Sequence, residues 1–113
     1  MRLTNKAIAT WVLCWLPLWA LASDTALSTE EGIALAKRNV CLSCHQMESK
    51  RVGPSFKAIA EKHPNEEASV ADLAQVIRQG SRGRWGIVAM PPQRRVTEED
   101  ARKLAQWILN LSP

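Results

Sequence analysis

The stretch Cys41-Leu42-Ser43-Cys44-His45 decides how the rest of the chain is interpreted. Two thiols separated by two residues and followed directly by a histidine form the C-x-x-C-H pattern. At this spacing the two sulfurs reach the two vinyl groups of one porphyrin, and the adjacent imidazole then lies under its iron. The stretch therefore predicts one covalently attached c-type haem, with His45 as the proximal ligand.

Two other uses of a closely spaced cysteine pair are less well supported. A structural zinc site needs four ligands, but the chain has no second cysteine pair and His63 alone does not complete the set. A thioredoxin-like dithiol belongs to a βαβ pattern, and no segment shows the period-two alternation of a strand. The third cysteine, Cys14, lies in the apolar N-terminal run and is given no function.

The N-terminal segment has the features of a secretory signal peptide. Arg2 and Lys6 precede an uncharged run over residues 7–23, which contains the small-x-small sequence Ala20-Leu21-Ala22. We predict a cleaved signal peptide over 1–22, a single domain over 23–113 and a periplasmic location. The alternative is an uncleaved membrane anchor facing the periplasm, although the run is slightly shorter than the ~20 residues that span a bilayer and Pro17 interrupts it.

Length and charge exclude several classes of protein. With 113 residues the chain is one domain, and its 15 Lys and Arg stand against 11 Asp and Glu without forming a block. Removal of residues 1–22 would leave a formal charge of only +2. A dedicated nucleic-acid binder usually clusters its basic residues, so none is predicted here. No catalytic triad, phosphate loop or carboxylate pair is evident, and the chain is not predicted to be an enzyme.

The remaining pattern predicts helices and loops. Ser28 with Glu31 fits a capping box for a helix to about residue 38, and a short helix is expected over 55–62. Ser69 is expected to open a third helix that ends at Gly80, and Thr97 to cap the last. The irregular stretches 46–54 and 80–96 are long for so small a domain, and such loops usually wrap something. The predicted class is all-α.

The haem iron would have a second axial position, for which three side chains are candidates. Met47 is tethered beside His45 and is expected to be a packing residue. His63 is expected to be an exposed residue at a helix end. Met90 lies in the long second loop, where the following Pro91 and Pro92 stiffen the backbone. We therefore favour Met90.

In its motifs the sequence resembles a class I c-type cytochrome of the small bacterial c-551/c-552 group. The resemblance extends over residues 28–111 and implies a single all-α domain of four to five short helices wrapped around one haem. Four motifs in the expected order carry it: Cys41-Leu42-Ser43-Cys44-His45, Val52-Gly53-Pro54, Gly80-Ser81-Arg82-Gly83-Arg84-Trp85-Gly86 and Met90-Pro91-Pro92.

The resemblance also implies a role for each site residue. Cys41 and Cys44 would form the thioethers, and His45 and Met90 would bind the iron from opposite sides. The carbonyl of Pro54 would accept a hydrogen bond from the His45 ring. Trp85 would donate its indole N–H to a haem propionate, and we expect Arg84 to add a charge-assisted contact there.

Two departures from the group bear on this site. Gln93 stands where an asparagine commonly follows the two prolines, which leaves its effect on the reduction potential open. Ala36 stands where the first helix usually has an aromatic residue. We expect Trp107 of the last helix to fill part of that space by crossing near Gly32.

An iron with both axial positions filled favours electron transfer over oxygen activation. The prediction is a monomeric one-electron carrier that docks briefly at its haem edge with a reductase, an oxidase or a quinol-oxidising complex. Two alternatives remain: a five-coordinate peroxidase or gas sensor if Met90 does not bind, and a dedicated subunit of a larger reductase. Four basic residues are expected to flank the haem edge and are candidates for electrostatic steering: Arg82, Arg84, Arg94 and Arg95. An equally weighted alternative is that their charges are simply solvated in the loops.

Overall fold

The computed structural model describes residues 25–113, which contain four α-helices and one 3₁₀ turn and no strand. The all-α prediction is confirmed for this part of the chain. The signal peptide predicted over 1–22 and its cleavage point lie outside the described residues. Among the helices of residues 25–113, none is both long enough and apolar enough to cross a bilayer. The elements in chain order are α1 (Thr29–Arg38), the 3₁₀ turn (Cys41–Ser43), α2 (Phe56–Lys62), α3 (Glu67–Gln79) and α4 (Glu98–Leu109).

Three of the four helices begin where the sequence predicts, and the predicted caps at Ser28 and Thr97 are confirmed. Ser28 and Glu31 form a full capping box before α1. The hydroxyls of Ser55 and Thr97 accept backbone N–H groups three residues ahead, at 3.0 Å in each case. The predicted start of α3 at Ser69 is wrong: the helix begins two residues earlier, without a side-chain cap, and Ser69 is buried within it. The helix packs extensively against α4, which stabilises it without a polar cap.

The core is organised around α4, which packs against α1, α2 and α3. Its Trp107 is only 2% exposed and lies directly over Gly32 of α1. A Cβ atom at Gly32 would come closer than 3.0 Å to three atoms of the indole, a distance that real Cβ atoms essentially never show. The predicted crossing of α1 and α4 at this glycine is therefore confirmed.

Residues 80–96, which we call the strap, return from the end of α3 to the start of α4. Gly80 begins the strap with φ +75°, and a Cβ there would lie 2.5 Å from the carbonyl oxygen of Met90. Ser81 and Met90 exchange two backbone hydrogen bonds of 3.0 Å, and the N–H of Gln93 donates to the carbonyl of Ile77 in α3. Main-chain hydrogen bonds thus fix the strap at Met90 and again, three residues later, at Gln93.

Candidate cofactor site

The His45 ring is held in one orientation and one tautomer. The backbone N–H of His45 donates to the carbonyl of Cys41 at 3.0 Å, at the end of the 3₁₀ turn. Its Nδ1 lies 2.7 Å from the carbonyl oxygen of Pro54. Because a carbonyl oxygen only accepts, Nδ1 carries a proton, and in the neutral ring the lone pair is then on Nε2. The histidine is thereby prepared to act as a ligand through Nε2.

Close packing on both sides reinforces this orientation. A Cβ at Gly53 would lie 2.5 Å from Cε1 of His45, so only a glycine lets the backbone pass this close to the ring. The Phe56 ring stacks on the imidazole, with a 5.5 Å centroid separation and 22° between the planes. Phe56 in turn meets Trp107 edge-on at 5.3 Å. A row of aromatic rings therefore connects His45 to the crossing of α1 and α4.

The two thiols of the motif are unpaired and partly buried. Burial raises the pKa of the Cys41 thiol, and the neighbouring Cys44 adds to that rise. A redox dithiol usually relies on a lowered thiol pKa, because the thiolate is the attacking species. The environment of Cys41 is thus the opposite of the one that such a dithiol needs.

A cavity of about 630 Å³ brings the predicted site residues together. This volume falls in the range of roughly 300–1,000 Å³ that is typical of ligand and cofactor sites. A second cavity of about 100 Å³ shares Cys44, His45 and Met90 with the first and is also lined by Cys41. The larger cavity is lined by all the other predicted site residues: Pro54, Arg84, Trp85 and Met90, besides Cys44 and His45.

Exposed side chains form the rim of the larger cavity. Val52, Ile87 and Val88 all line it, and each is more than half exposed. Trp85 lines it as well and is 36% exposed. An apolar rim of this kind surrounds the opening with surface that has no partner within the described chain.

Arg84, which was expected to contact a haem propionate, is already paired with another residue of the chain. Its guanidinium makes two hydrogen bonds of 2.6 Å to the carboxylate of Asp72 in α3. This bidentate pair lowers the pKa of Asp72 through the hydrogen bond from Arg84 and raises that of Arg84 by the same contact. The structure thus brings Arg84 to the cavity, already paired with an acid that the sequence reasoning did not single out. Its contact with a haem propionate stays a prediction.

Three further residues position Trp85 or His45, and the sequence did not predict these roles for them. The Lys62 ammonium lies 4.3 Å from the centroid of the Trp85 ring, and Gly53 and Phe56 hold His45 as described. His63, expected to be an exposed helix-end residue, is half-buried and lines the cavity, with its Nδ1 2.9 Å from the carbonyl oxygen of Ile59. Only Gly53 had a sequence signal, as the middle residue of Val52-Gly53-Pro54.

The donor set of this cleft fits an iron porphyrin. One side offers two thiols and an imidazole whose Nε2 is free, and the strap offers the thioether of Met90. Imidazole and thioether are the ligands that electron-transferring haems use. An indole N–H and a guanidinium lie among the residues of the same cavity, where they can bind carboxylates. The residues that are present therefore match each chemical feature of a c-type haem.

Comparison with known proteins agrees with this geometry. Residues 28–108 match the family model described as cytochrome c oxidase, cbb3-type, subunit III. The chain is 48% identical to a cytochrome c-552 of Nitrosomonas europaea over 98 residues, which cover 86% of this chain and 95% of that relative. It is 45% identical to a cytochrome c-551 of Stutzerimonas stutzeri over 92 residues, covering 81% and 86% of the two chains. The crystal structure of wild-type Nitrosomonas europaea cytochrome c552 superposes with a TM-score of 0.68 at 47% identity, covering 70% of this chain and 98% of that one.

Proposed function

We propose that this chain, which belongs to the class I c-type cytochromes of the small c-551/c-552 group, is a periplasmic electron shuttle. As a member of that group it carries one haem c through Cys41 and Cys44 and transfers single electrons. We propose that its iron is bound by His45 and Met90. The observation that carries the ligand assignment is the 2.7 Å contact between Nδ1 of His45 and the Pro54 carbonyl. That contact selects the tautomer of the neutral ring in which the lone pair is on Nε2, and it fixes the orientation of the ring. The strap supplies Met90 from another part of the same cavity.

When bound, the haem supplies a one-electron Fe(II)/Fe(III) couple. The residues around the cavity keep both ligands still: Gly53 and Phe56 enclose the imidazole, and main-chain hydrogen bonds fasten the strap around Met90. Ligands that stay in place in both oxidation states keep the reorganisation small. The mainly apolar lining excludes water and disfavours the more highly charged oxidised centre, which raises the reduction potential.

Three exposed apolar residues of the cavity rim support electron exchange by brief docking. Val52, Ile87 and Val88 give it an apolar surface without a partner in the described chain. A small apolar contact suits a transient complex that must dissociate after each transfer. We propose that the partners are a reductase, an oxidase or a quinol-oxidising complex in the periplasm.

Exposed arginines of the strap are proposed to steer acidic partners. Arg84 is paired with Asp72, so the steering charges are those of Arg82, Arg94 and Arg95, which are all exposed. Electrostatic steering weakens as salt screens the charges. Partner reduction rates that do not change with ionic strength would exclude it.

The proposed ligand set is tested by replacing each methionine near the site. Met90→Ala is expected to abolish the weak far-red absorption band that thioether ligation gives to ferric haem, and to open the iron to added imidazole. Met47→Ala is the control, since Met47 packs against the core and should leave the band intact. A Met90→Ala protein that keeps the band would refute the assignment. The mass of the haem protein recovered from the periplasm tests the localisation and cleavage before Ser23 in the same preparation.

A further inference from the structure

We propose that Lys62 is a positioning residue for Trp85, and that Asp72 holds the adjacent Arg84 as a second anchor. Together the two anchors form a latch that fixes the Arg84–Trp85 pair at the cavity rim. The inference rests on the proposed function, in which the Trp85 indole donates to a haem propionate. The latch would keep the indole in the position from which it can donate that hydrogen bond.

Lys62 contacts the strap in two ways. Its Nζ lies 4.3 Å from the centroid of the Trp85 ring, within the range of a cation–π interaction. The same Nζ donates to the carbonyl oxygen of Arg84 at 3.0 Å. One ammonium group thus fixes both the ring of Trp85 and the peptide bond that precedes it. Among the described residues that line the larger cavity, Lys62 is absent, so it acts on the site through Trp85.

Asp72 provides the second anchor from a different helix. Its carboxylate accepts two hydrogen bonds of 2.6 Å from the Arg84 guanidinium. A bidentate pair fixes direction as well as distance. Because α2 carries Lys62 and α3 carries Asp72, the pair in the strap is attached to two helices of the rigid core.

The backbone on either side of the pair does not by itself define where the indole lies. Gly83 and Gly86 have φ of +72° and +104°, and a Cβ at either position would meet nothing within 4 Å. These glycines therefore allow the chain to turn but pack against nothing. Trp85 is 36% exposed, so its own burial does not hold it firmly either. The side-chain anchors remain as the feature that selects one position.

Helix α2 connects the latch to the residues that hold His45. The residue before its cap is Pro54, whose carbonyl faces His45, and its last residue is Lys62. A single rigid helix thus spans the distance between the imidazole and the indole. Lys62 transmits that fixed geometry to Trp85.

The test compares Lys62→Met with Lys62→Arg in the reduced haem protein. The readout is the exchange rate of the Trp85 indole N–H with water, measured by NMR. Methionine keeps the aliphatic stem but loses the charge and the donor, so exchange is expected to accelerate roughly tenfold. Arginine donates and stacks on aromatic rings, so Lys62→Arg should restore slow exchange. Lys57→Met is the matched control, because it removes one charge from the same helix at a site paired with Glu48.

The outcomes separate this inference from the function on which it rests. Slow exchange in the wild-type protein that is unchanged in Lys62→Met, or equally accelerated in Lys57→Met, would overturn the latch and leave the role of Trp85 intact. Fast exchange already in the wild-type protein would overturn both. Retention of the far-red band once the same proteins have been oxidised reports independently on Met90.

Discussion

Substitution of Gly32 by valine tests the crossing of α1 and α4 on which the core depends. The first added carbon would lie closer than 3.0 Å to Cδ1, Nε1 and Cε2 of Trp107. Carbon atoms in ordinary contact are about 3.5–4.0 Å apart. The indole cannot turn freely away, because it is 2% exposed and meets Phe56 edge-on at 5.3 Å. The two helices must therefore separate, or Trp107 must leave its place.

The expected cost follows from two opposing contributions. Overpacking a well-packed core costs about 1–3 kcal/mol and occasionally more. Valine regains a few tenths of a kcal/mol, because glycine is the poorer helix former. The two γ-methyl groups add further overlap at the same place, so Gly32→Val should lower the free energy of unfolding by about 2–4 kcal/mol. For a domain of this size each kcal/mol lowers Tm by roughly 4–8 °C.

The measurement is urea unfolding of the haem protein, with Ala34→Val as the control. Ala34 is exposed on the same helix, so valine there costs only its helix propensity, about 0.5 kcal/mol. The difference between the two variants isolates the clash with Trp107. If Gly32→Val unfolds at the same urea concentration as Ala34→Val, the packing argument is wrong. Combining Gly32→Val with Trp107→Leu should cost less than the sum of the single changes, because the clashing group is gone.

Two further predictions concern the backbone before the cysteine motif and the ion pair at the rim. Val40 has φ +61° and is 66% exposed, so Val40→Gly relieves strain of about 1–3 kcal/mol at little loss of packing. We therefore expect the variant to be more stable than the wild-type protein in thermal or urea unfolding. An unchanged or lower unfolding midpoint would contradict this expectation. The pKa of Asp72 is lowered by its hydrogen bond from Arg84. Its ion pair therefore stabilises the fold above the unfolded pKa of about 4 and ceases to do so as pH falls through the lower folded value. Both side chains are more than a third exposed, so Asp72→Asn should cost under about 1 kcal/mol at pH 7 and less at pH 3. An equal cost at both pH values would show that the loss is not electrostatic.

The parts of the site that were predictable are those written in contiguous sequence. The cysteine motif and the caps at Ser28 and Thr97 depend on residues at most four apart, so their spacing alone specifies the geometry. Gly80 was also predictable, because a helix commonly ends in a residue of positive φ and glycine adopts it without strain. The start of α3 was missed, since a helix that gains its stability from core packing does not need the polar cap on which the prediction relied.

The contacts that could not be predicted join elements far apart in the chain. Asp72 meets Arg84 across the gap between α3 and the strap, and Lys62 reaches Trp85 from α2. Charged residues on helices are usually solvated, so nothing in the sequence distinguishes these two from their neighbours. Only the folded arrangement shows that they face the strap.

This difference between local and distant contacts indicates which positions of the chain tolerate substitution. The proximal side, from Cys41 to Pro54, is fixed by short-range contacts and by a ring packed against Phe56, so change there disturbs the ligand itself. The strap is held near Trp85 by exposed ionic contacts, each of which contributes little to folding. Substitutions at Lys62 should therefore alter the surroundings of the haem edge while the fold persists. It follows that substitutions at the contacts around Trp85 should cost less stability than substitutions around His45.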